Sequence, residues 1–346
     1  MTPRRLISVV GCHAEGEVGD VIVGGVRPPA GATLFEQMQT MEREHDSIRR
    51  LLLCEPRGSV CRHVNLLVPP VDPRAEMGVI IMEPTEYVPS SGSNLICVVT
   101  VLLETGMIEM HEPVTLVSIE APGGLIRAKA NCSGGKCVSV EIENVASFVD
   151  RLDATLEVEG VGTIRCDVAY GGMFYALVDV SKLGYALVPD EARDLAVLGE
   201  KVRAAAREQF DVVHPANPGI RGVSIVQLNH PFAGPGKVSR NSCIVAPGRS
   251  DRSPTGTGTS ARMAVLHARG LLRTGEGMVH ESLIGSRFNA RILGETEVAG
   301  RAAILPAIEG RAWITGFHQY CLDAADPYPT GWVLPDAWGV TGAIAQ

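Results

Sequence analysis

Two short stretches concentrate the residue types that can move a proton. In "SSGSN" (90–94) and "DRSPTGTGTSA" (251–261), hydroxyl side chains and glycines lead into helix patterns that stop at Gly106 and Gly270. Backbone N–H groups at the start of a helix attract an anion, and the helix dipole adds to that attraction. A small carboxylate held by Gly92, Ser93, Gly256 and Thr257 would have the hydroxyls of Ser91 and Thr255 on its two sides. Hydroxyls so placed suit proton transfer at the carbon next to the carboxylate. The plainer alternative is that Ser91 and Thr255 are ordinary helix caps, a role both residue types favour.

Four other features are candidates. Asp251, four residues before Thr255, could meet a substrate ammonium; it could equally close an Asx turn or pair with Arg252. His214, in "VVHPANPG", could line the same cleft or be structural. His13, Glu15 and Glu17 form a polar cluster after a strand-like run, and nothing further in the sequence suggests a metal. "GTGTSA" fits the dinucleotide pattern G-x-G-x-x-A. That motif needs a strand running straight into its first glycine, whereas "GRSDRSP" intervenes and no acid follows on a second strand. The dinucleotide reading is rejected.

The elements that must carry the two loops are visible as a weak repeat. "SGSNLICVVTVLLETG" (91–106) aligns with "TGTGTSARMAVLHARG" (255–270) at a constant offset of 164 residues, with Gly92, Val101, Leu102 and Gly106 opposite Gly256, Val265, Leu266 and Gly270. An offset near half of the 346 residues implies two domains of similar build; chance similarity is the alternative. Helix patterns are expected at 33–53, 94–105, 190–209 and 258–269, among many short β-type runs. Few helices and many strands point to an α+β protein with sheets wrapped on helices, not a βαβ repeat. "LICVVTVLL" carries no charge on any face, so its helix should be buried all round.

Composition narrows the partners. A formal net charge of −8 disfavours nucleic acid or an anionic membrane. No apolar run approaches the roughly 20 residues that span a bilayer. "LISVV" near the start is too short for a secretory core, so a cytoplasmic protein is expected. The nine cysteines follow no framework spacing and read as small buried thiols. Cys132 and Cys137 flank a hairpin-like "SGGK" and could face each other.

These residues carry a family resemblance. "DRSPTGTGTSARMAVLHARG" resembles the second active-site signature of the proline racemase family, Asp-Arg-Ser-Pro-Cys-Gly-Thr-Gly-Thr-Ser. "SSGSN" resembles the first, Met-Cys-Gly-His-Asn. "HAEGE", "EPRG" (55–58), "DVAYGGMFYALV", "HP" (214–215), "ESLIGSRF" (281–288) and "ITGF" (314–317) follow in family order. The resemblance implies two similar domains of the diaminopimelate epimerase type, each a curved sheet around a central helix, with the active site in the cleft between them. The expected division is 1–155 with about 323–346, and 156–322. It also implies a small imino-acid substrate, no metal or organic cofactor, and a homodimer.

Racemases and 4-hydroxyproline epimerases of the family use two thiols, one per face; members with threonine at the second position resemble trans-3-hydroxy-L-proline dehydratases. Here Ser91 and Thr255 replace both cysteines, and Ser93 replaces the first signature's histidine. The resemblance further implies that Asp251 holds the substrate amine, with Gly92, Ser93, Gly256 and Thr257 on its carboxylate. A threonine hydroxyl is a far weaker acid than a thiol, so it serves poorly as a second racemisation base. Dehydration asks less, because one base, Ser91, removes the Cα proton while Thr255 orients the departing hydroxyl or water. The expected activity is therefore dehydration of trans-3-hydroxy-L-proline to pyrroline-2-carboxylate. Racemisation or epimerisation of proline or 4-hydroxyproline, and a non-catalytic carboxylate-binding module, are the alternatives. No general base for Ser91 is visible in the sequence.

Overall fold

The computed structural model describes residues 5–323 and 325–338. Its contacts divide the chain into two units, Met1–Ile142 with Gly310–Gln346, and Glu143–Glu309. These limits differ from the expected 155 and 322, and strand pairing is the reason. The strand Ser147–Val158 pairs along its length with Gly162–Tyr170, from Phe148 opposite Tyr170 to Val158 opposite Gly162. The strand Ala312–Leu322 pairs end to end with Arg5–Ala14, which returns it to the first unit. Residues 324 and 339–346, placed by expectation in the first domain, lie outside the described residues.

Five α-helices occur among the described residues: α1 (Leu34–Glu44), α2 (Ser47–Leu53), α3 (Gly92–Glu104), α4 (Ala192–Gln209) and α5 (Gly256–Ala268). The single helix expected over 33–53 is broken at His45, whose φ of −131° leaves the helical region. Asp46 then turns its carboxylate onto Arg49 and the Tyr87 hydroxyl, which fixes the break.

In the first unit, Glu17–Gly24 lies between Arg5–Ala14, antiparallel, and Arg62–Val68, parallel. Arg62–Val68 continues antiparallel into Met77–Met82. α3 packs on this sheet, and every residue from Gly92 to Leu103 is buried, as a charge-free helix requires. Gly19 permits the approach: a Cβ there would lie 2.7 Å from Asn94 Oδ1.

In the second unit, strands run from Ser147–Val158 through Gly162–Tyr170, Phe174–Asp179, Ile225–Asn229, Val238–Val245, Gly277–Glu281 and Arg287–Val298 to Arg301–Gly310. Ala303 of the last pairs with Phe148 of the first, so the sheet closes on itself. α5 packs against it from within the same unit.

α3 and α5 each span 13 residues and are 164 apart at both ends, the offset of the sequence repeat. Each starts two residues before the expected position, with its leading glycine as the first helical residue. Each ends alike. Thr105 and Arg269 N–H groups donate to Val101 and Val265 carbonyls, Ile108 and Leu272 N–H groups to Leu102 and Leu266. Gly106 and Gly270 turn the chain at φ of 71° and 69°, a left-handed conformation that suits glycine.

Cys132 and Cys137 lie on strands joined by the Gly134–Gly135 turn and stay as free, buried thiols. Burial pushes the Cys137 thiol up to about 12. No helix among the described residues is long and apolar enough to cross a membrane.

Candidate active site

Ser91 stands at the N-cap of α3 in an extended conformation, half-buried, and its side chain makes no capping hydrogen bond. The ordinary-cap reading therefore fails for its hydroxyl. Instead Ser91 Oγ accepts a hydrogen bond from Asn94 Nδ2 at 2.9 Å, one turn along the same helix. Asn94 Nδ2 also lies 3.0 Å from His63 Nδ1, and Asn94 Oδ1 accepts from Asn65 Nδ2 at 2.9 Å. His63 Nε2 is 3.4 Å from Glu17 Oε1, with Glu83 Oε1 3.8 Å from Nδ1. His63, Asn65, Asn94 and Glu17 are all buried.

Thr255 occupies the equivalent N-cap of α5, and its side chain likewise makes no capping bond. The loop before it is a chain of local hydrogen bonds. The Asp251 N–H donates to the Cys243 carbonyl at 2.8 Å, pinning the loop to the strand Val238–Val245. Asp251 Oδ1 accepts from the Ser253 N–H at 2.8 Å, an Asx turn. Ser253 Oγ accepts from the Thr255 N–H at 3.1 Å, and Thr255 Oγ1 donates to Asp251 Oδ2 at 2.6 Å. Closing this ring holds Thr255 at φ 64°, ψ 110°, a left-handed φ that a β-branched residue rarely adopts.

The Asp251 carboxylate thus accepts from Thr255 and from the loop backbone. Thr257 Oγ1 shares a 2.6 Å hydrogen bond with Tyr175 OH. Thr259 Oγ1 donates to the Thr255 carbonyl and lies 2.7 Å from His280 Nδ1. Burial, with the Arg262 charge adding to it, lowers His280 to about 3 and keeps it neutral. Cys243 is a thiol beside this loop, yet it does not replace the cysteine of the signature. Burial raises its pKa above the ordinary thiol value and the Asp251 charge raises it further, against a smaller lowering by the neighbouring Thr255 side chain.

Each unit therefore gathers its own predicted residues: Ser91, Gly92 and Ser93 in one, Asp251, Thr255, Gly256 and Thr257 in the other. His214 does not join the Thr255 cluster through any contact described. Its ring lies 4.6 Å from that of Tyr170 and 5.5 Å from that of Phe148, and Nδ1 accepts from the Ala216 N–H. The His13, Glu15 and Glu17 cluster also disperses. His13 stacks on Trp313, Glu15 accepts from Arg311, and Glu17 faces His63.

Sequence reasoning missed His63, Asn65 and Asn94 on one side, and Tyr175, Thr259 and His280 on the other. A signal existed for the first group. His63 and Asn65 are two apart on a strand and so share a face, and Asn94 is one helical turn from Ser91.

The fold is similar to that in the crystal structure of methylitaconate-delta-isomerase. That likeness has a TM-score of 0.54 at 14% identity, covers 96% of this chain and 99% of that one, and concerns the fold alone. The proline racemase family model matches residues 9–333. A hydroxyproline epimerase from Agrobacterium vitis, solved with bound trans-4-hydroxy-L-proline, is 44% identical with a TM-score of 0.92, over 97% of this chain and 96% of that one. A probable proline racemase from Agrobacterium radiobacter, solved with bound carbonate, is 42% identical with a TM-score of 0.91, over 96% and 98%. The chain belongs to the proline racemase family.

Proposed function

We propose that the protein removes the Cα proton of a hydroxyproline with hydroxyl groups in place of thiols, and that its reaction is the dehydration of trans-3-hydroxy-L-proline. The observation that carries this reading is the 2.6 Å bond from Thr255 Oγ1 to Asp251. With its own hydrogen directed at a carboxylate, Thr255 keeps lone pairs with which to accept a proton, and carboxylate basicity is delivered through the hydroxyl. Ser91, the expected base, is arranged the other way, and the two roles are exchanged in this proposal. It accepts from Asn94, which leaves its hydrogen to give. One hydroxyl set to accept and one set to donate suit a one-way elimination, whereas epimerisation needs each to do both in turn.

In this reading both hydroxyls serve one substrate, whose carboxylate takes the N–H groups of Gly92, Ser93, Gly256 and Thr257. Thr255 takes the Cα proton while its own passes to Asp251. The C3–O bond breaks as Ser91 gives its proton to the leaving hydroxide, which forms water. The enamine left behind tautomerises to pyrroline-2-carboxylate, and the proton on Asp251 returns through water to Ser91.

A second reading, epimerisation of 4-hydroxyproline, is supported by the 44% identical Agrobacterium vitis epimerase. Proton NMR of the protein with each substrate in deuterated water separates the two. Pyrroline signals from trans-3-hydroxy-L-proline, lost in Ser91→Ala, support dehydration. Deuterium at Cα of 4-hydroxyproline with inversion supports the epimerase. Saturable binding without any exchange would leave only a carboxylate-binding protein.

A further inference from the structure

The hydrogen-bond order behind Ser91 is fixed by a group that cannot change its role. The Asp20 backbone carbonyl only accepts, and it takes a hydrogen from Asn65 Nδ2 at 3.1 Å. Asn65 Nδ2 therefore also donates its other hydrogen, to Asn94 Oδ1. That orientation turns both hydrogens of Asn94 Nδ2 the other way, one to Ser91 Oγ and one to His63 Nδ1. An amide orientation is ordinarily an assignment, but here the carbonyl dictates it. His63 Nδ1 must then accept, so its ring proton sits on Nε2, facing Glu17 at 3.4 Å.

We infer that Asn94 is a positioning residue for proton transfer by Ser91: its N–H stabilises the serinate formed when Ser91 gives up its proton, and Asn65, His63 and Glu17 lock it in that orientation. The inference rests on the proposed function. Breaking the Ser91 Oγ–H bond sends the proton to the departing hydroxide and leaves the electron pair on Oγ. There it meets the Asn94 N–H and the positive end of α3. An alkoxide in water is inaccessible near neutral pH. A fixed donor aimed at the developing charge acts without reorganisation, and removing one such donor typically lowers turnover about 10²–10³-fold. The histidine that the family signature places two residues after its cysteine is Ser93 here. In this chain an imidazole reaches Asn94 from the strand Arg62–Val68.

The test pairs kinetics with a measurement that needs no turnover. Asn94→Ala should lower kcat on trans-3-hydroxy-L-proline about 10²-fold with KM within about threefold. Asn94→Asp keeps the bond from Asn65 but replaces the donor by a carboxylate oxygen, and should lose at least as much. A thiolate, with an ordinary pKa of about 8.5, needs no such donor. In a Ser91→Cys background Asn94→Ala should therefore cost less than about fivefold, whereas equal loss in both backgrounds would overturn the proposal. Independently, 15N NMR of the imidazoles, with His63→Gln for assignment, should show His63 protonated on Nε2 alone at pH 7 and released from that form in Asn94→Ala. A proton on Nδ1 in the unaltered protein would overturn it too. Protein that leaves every proline unchanged would defeat the functional reading only, and the NMR result would still decide the hydrogen-bond order.

Discussion

Thr255 Oγ1 and Asp251 Oδ2 are 2.6 Å apart, and the bond closes a loop in which the same carboxylate also fixes the Ser253 backbone. A hydroxyl bonded to a carboxylate can pass its proton on as it takes another, so in the proposed reaction Asp251 is the base behind Thr255. Asp251→Asn should then reduce kcat by about 10²–10⁴-fold, the usual range for general-base catalysis, with little change in KM. Steady-state kinetics on trans-3-hydroxy-L-proline decide this. A raised KM with kcat preserved would return Asp251 to the role of amine holder.

Holding Thr255 at φ 64° has a conformational cost of about 1–3 kcal/mol. Thr255→Gly removes that strain but also removes a hydrogen bond to a charged group, worth about 1.5–3 kcal/mol. The two nearly offset, so urea unfolding of the variant should give a stability within about 1 kcal/mol of the parent. Catalysis should nonetheless be lost. An inactive variant with an unchanged unfolding midpoint would separate the hydroxyl's role from any part in folding.

Restoring a thiol at the second position should change the reaction as well as its rate. A cysteine can both take and return a proton near neutral pH. Thr255→Cys should therefore gain deuterium incorporation with inversion at Cα of 4-hydroxyproline, read by chiral chromatography after incubation in deuterated water. The same variant should dehydrate trans-3-hydroxy-L-proline more slowly.

Gly19 tests the network behind Ser91 from a distance. A methyl there would sit 2.7 Å from Asn94 Oδ1 and 3.1 Å from Cys97 Sγ, in a fully buried contact. Gly19→Ala should destabilise the protein by about 1–3 kcal/mol, the usual penalty for overpacking. It should also lower kcat more than a surface control with the same loss of stability.

His280 supplies a pH dependence of folding. Its folded pKa, about 3, lies below the ordinary 6.5, so the unfolded chain binds a proton that the folded protein refuses. The neutral-histidine contribution is complete above about pH 6.5 and is lost as pH falls towards 3, by at most about 1.4 kcal/mol per pH unit. His280→Gln should flatten the acid limb of a stability-against-pH curve relative to the parent. Parallel curves for the two proteins would refute this.

The two helices, their 164-residue offset and the hydroxyls at their tips were legible in the sequence. Short-range patterns of glycine, hydroxyl and apolar residues write them directly. Asp251 was visible as a residue of interest, but its partner was not, because the direction of a carboxylate in a tight loop depends on how the loop closes. His63 and Asn65 were harder. They lie nearly 30 residues before Ser91 on a different element, and only packing of α3 on that strand brings them behind the hydroxyl. His214, which the sequence leaves as either cleft-lining or structural, packs its ring against Tyr170, a contact that no local pattern announces.

The matched helices also separate two design problems. The hydrogen-bond partners described for Ser91 come from its own unit, and those for Thr255 come from the other. Either hydroxyl can therefore be retuned without disturbing the scaffold of its counterpart. A duplicated framework begins with mirror-image chemistry, in which forward and reverse are equivalent. Once one copy surrounds its hydroxyl with amide and imidazole and the other with a carboxylate, that equivalence is broken. Which proton each hydroxyl takes or gives is then set within its own unit, while the position of equilibrium stays with the reactants.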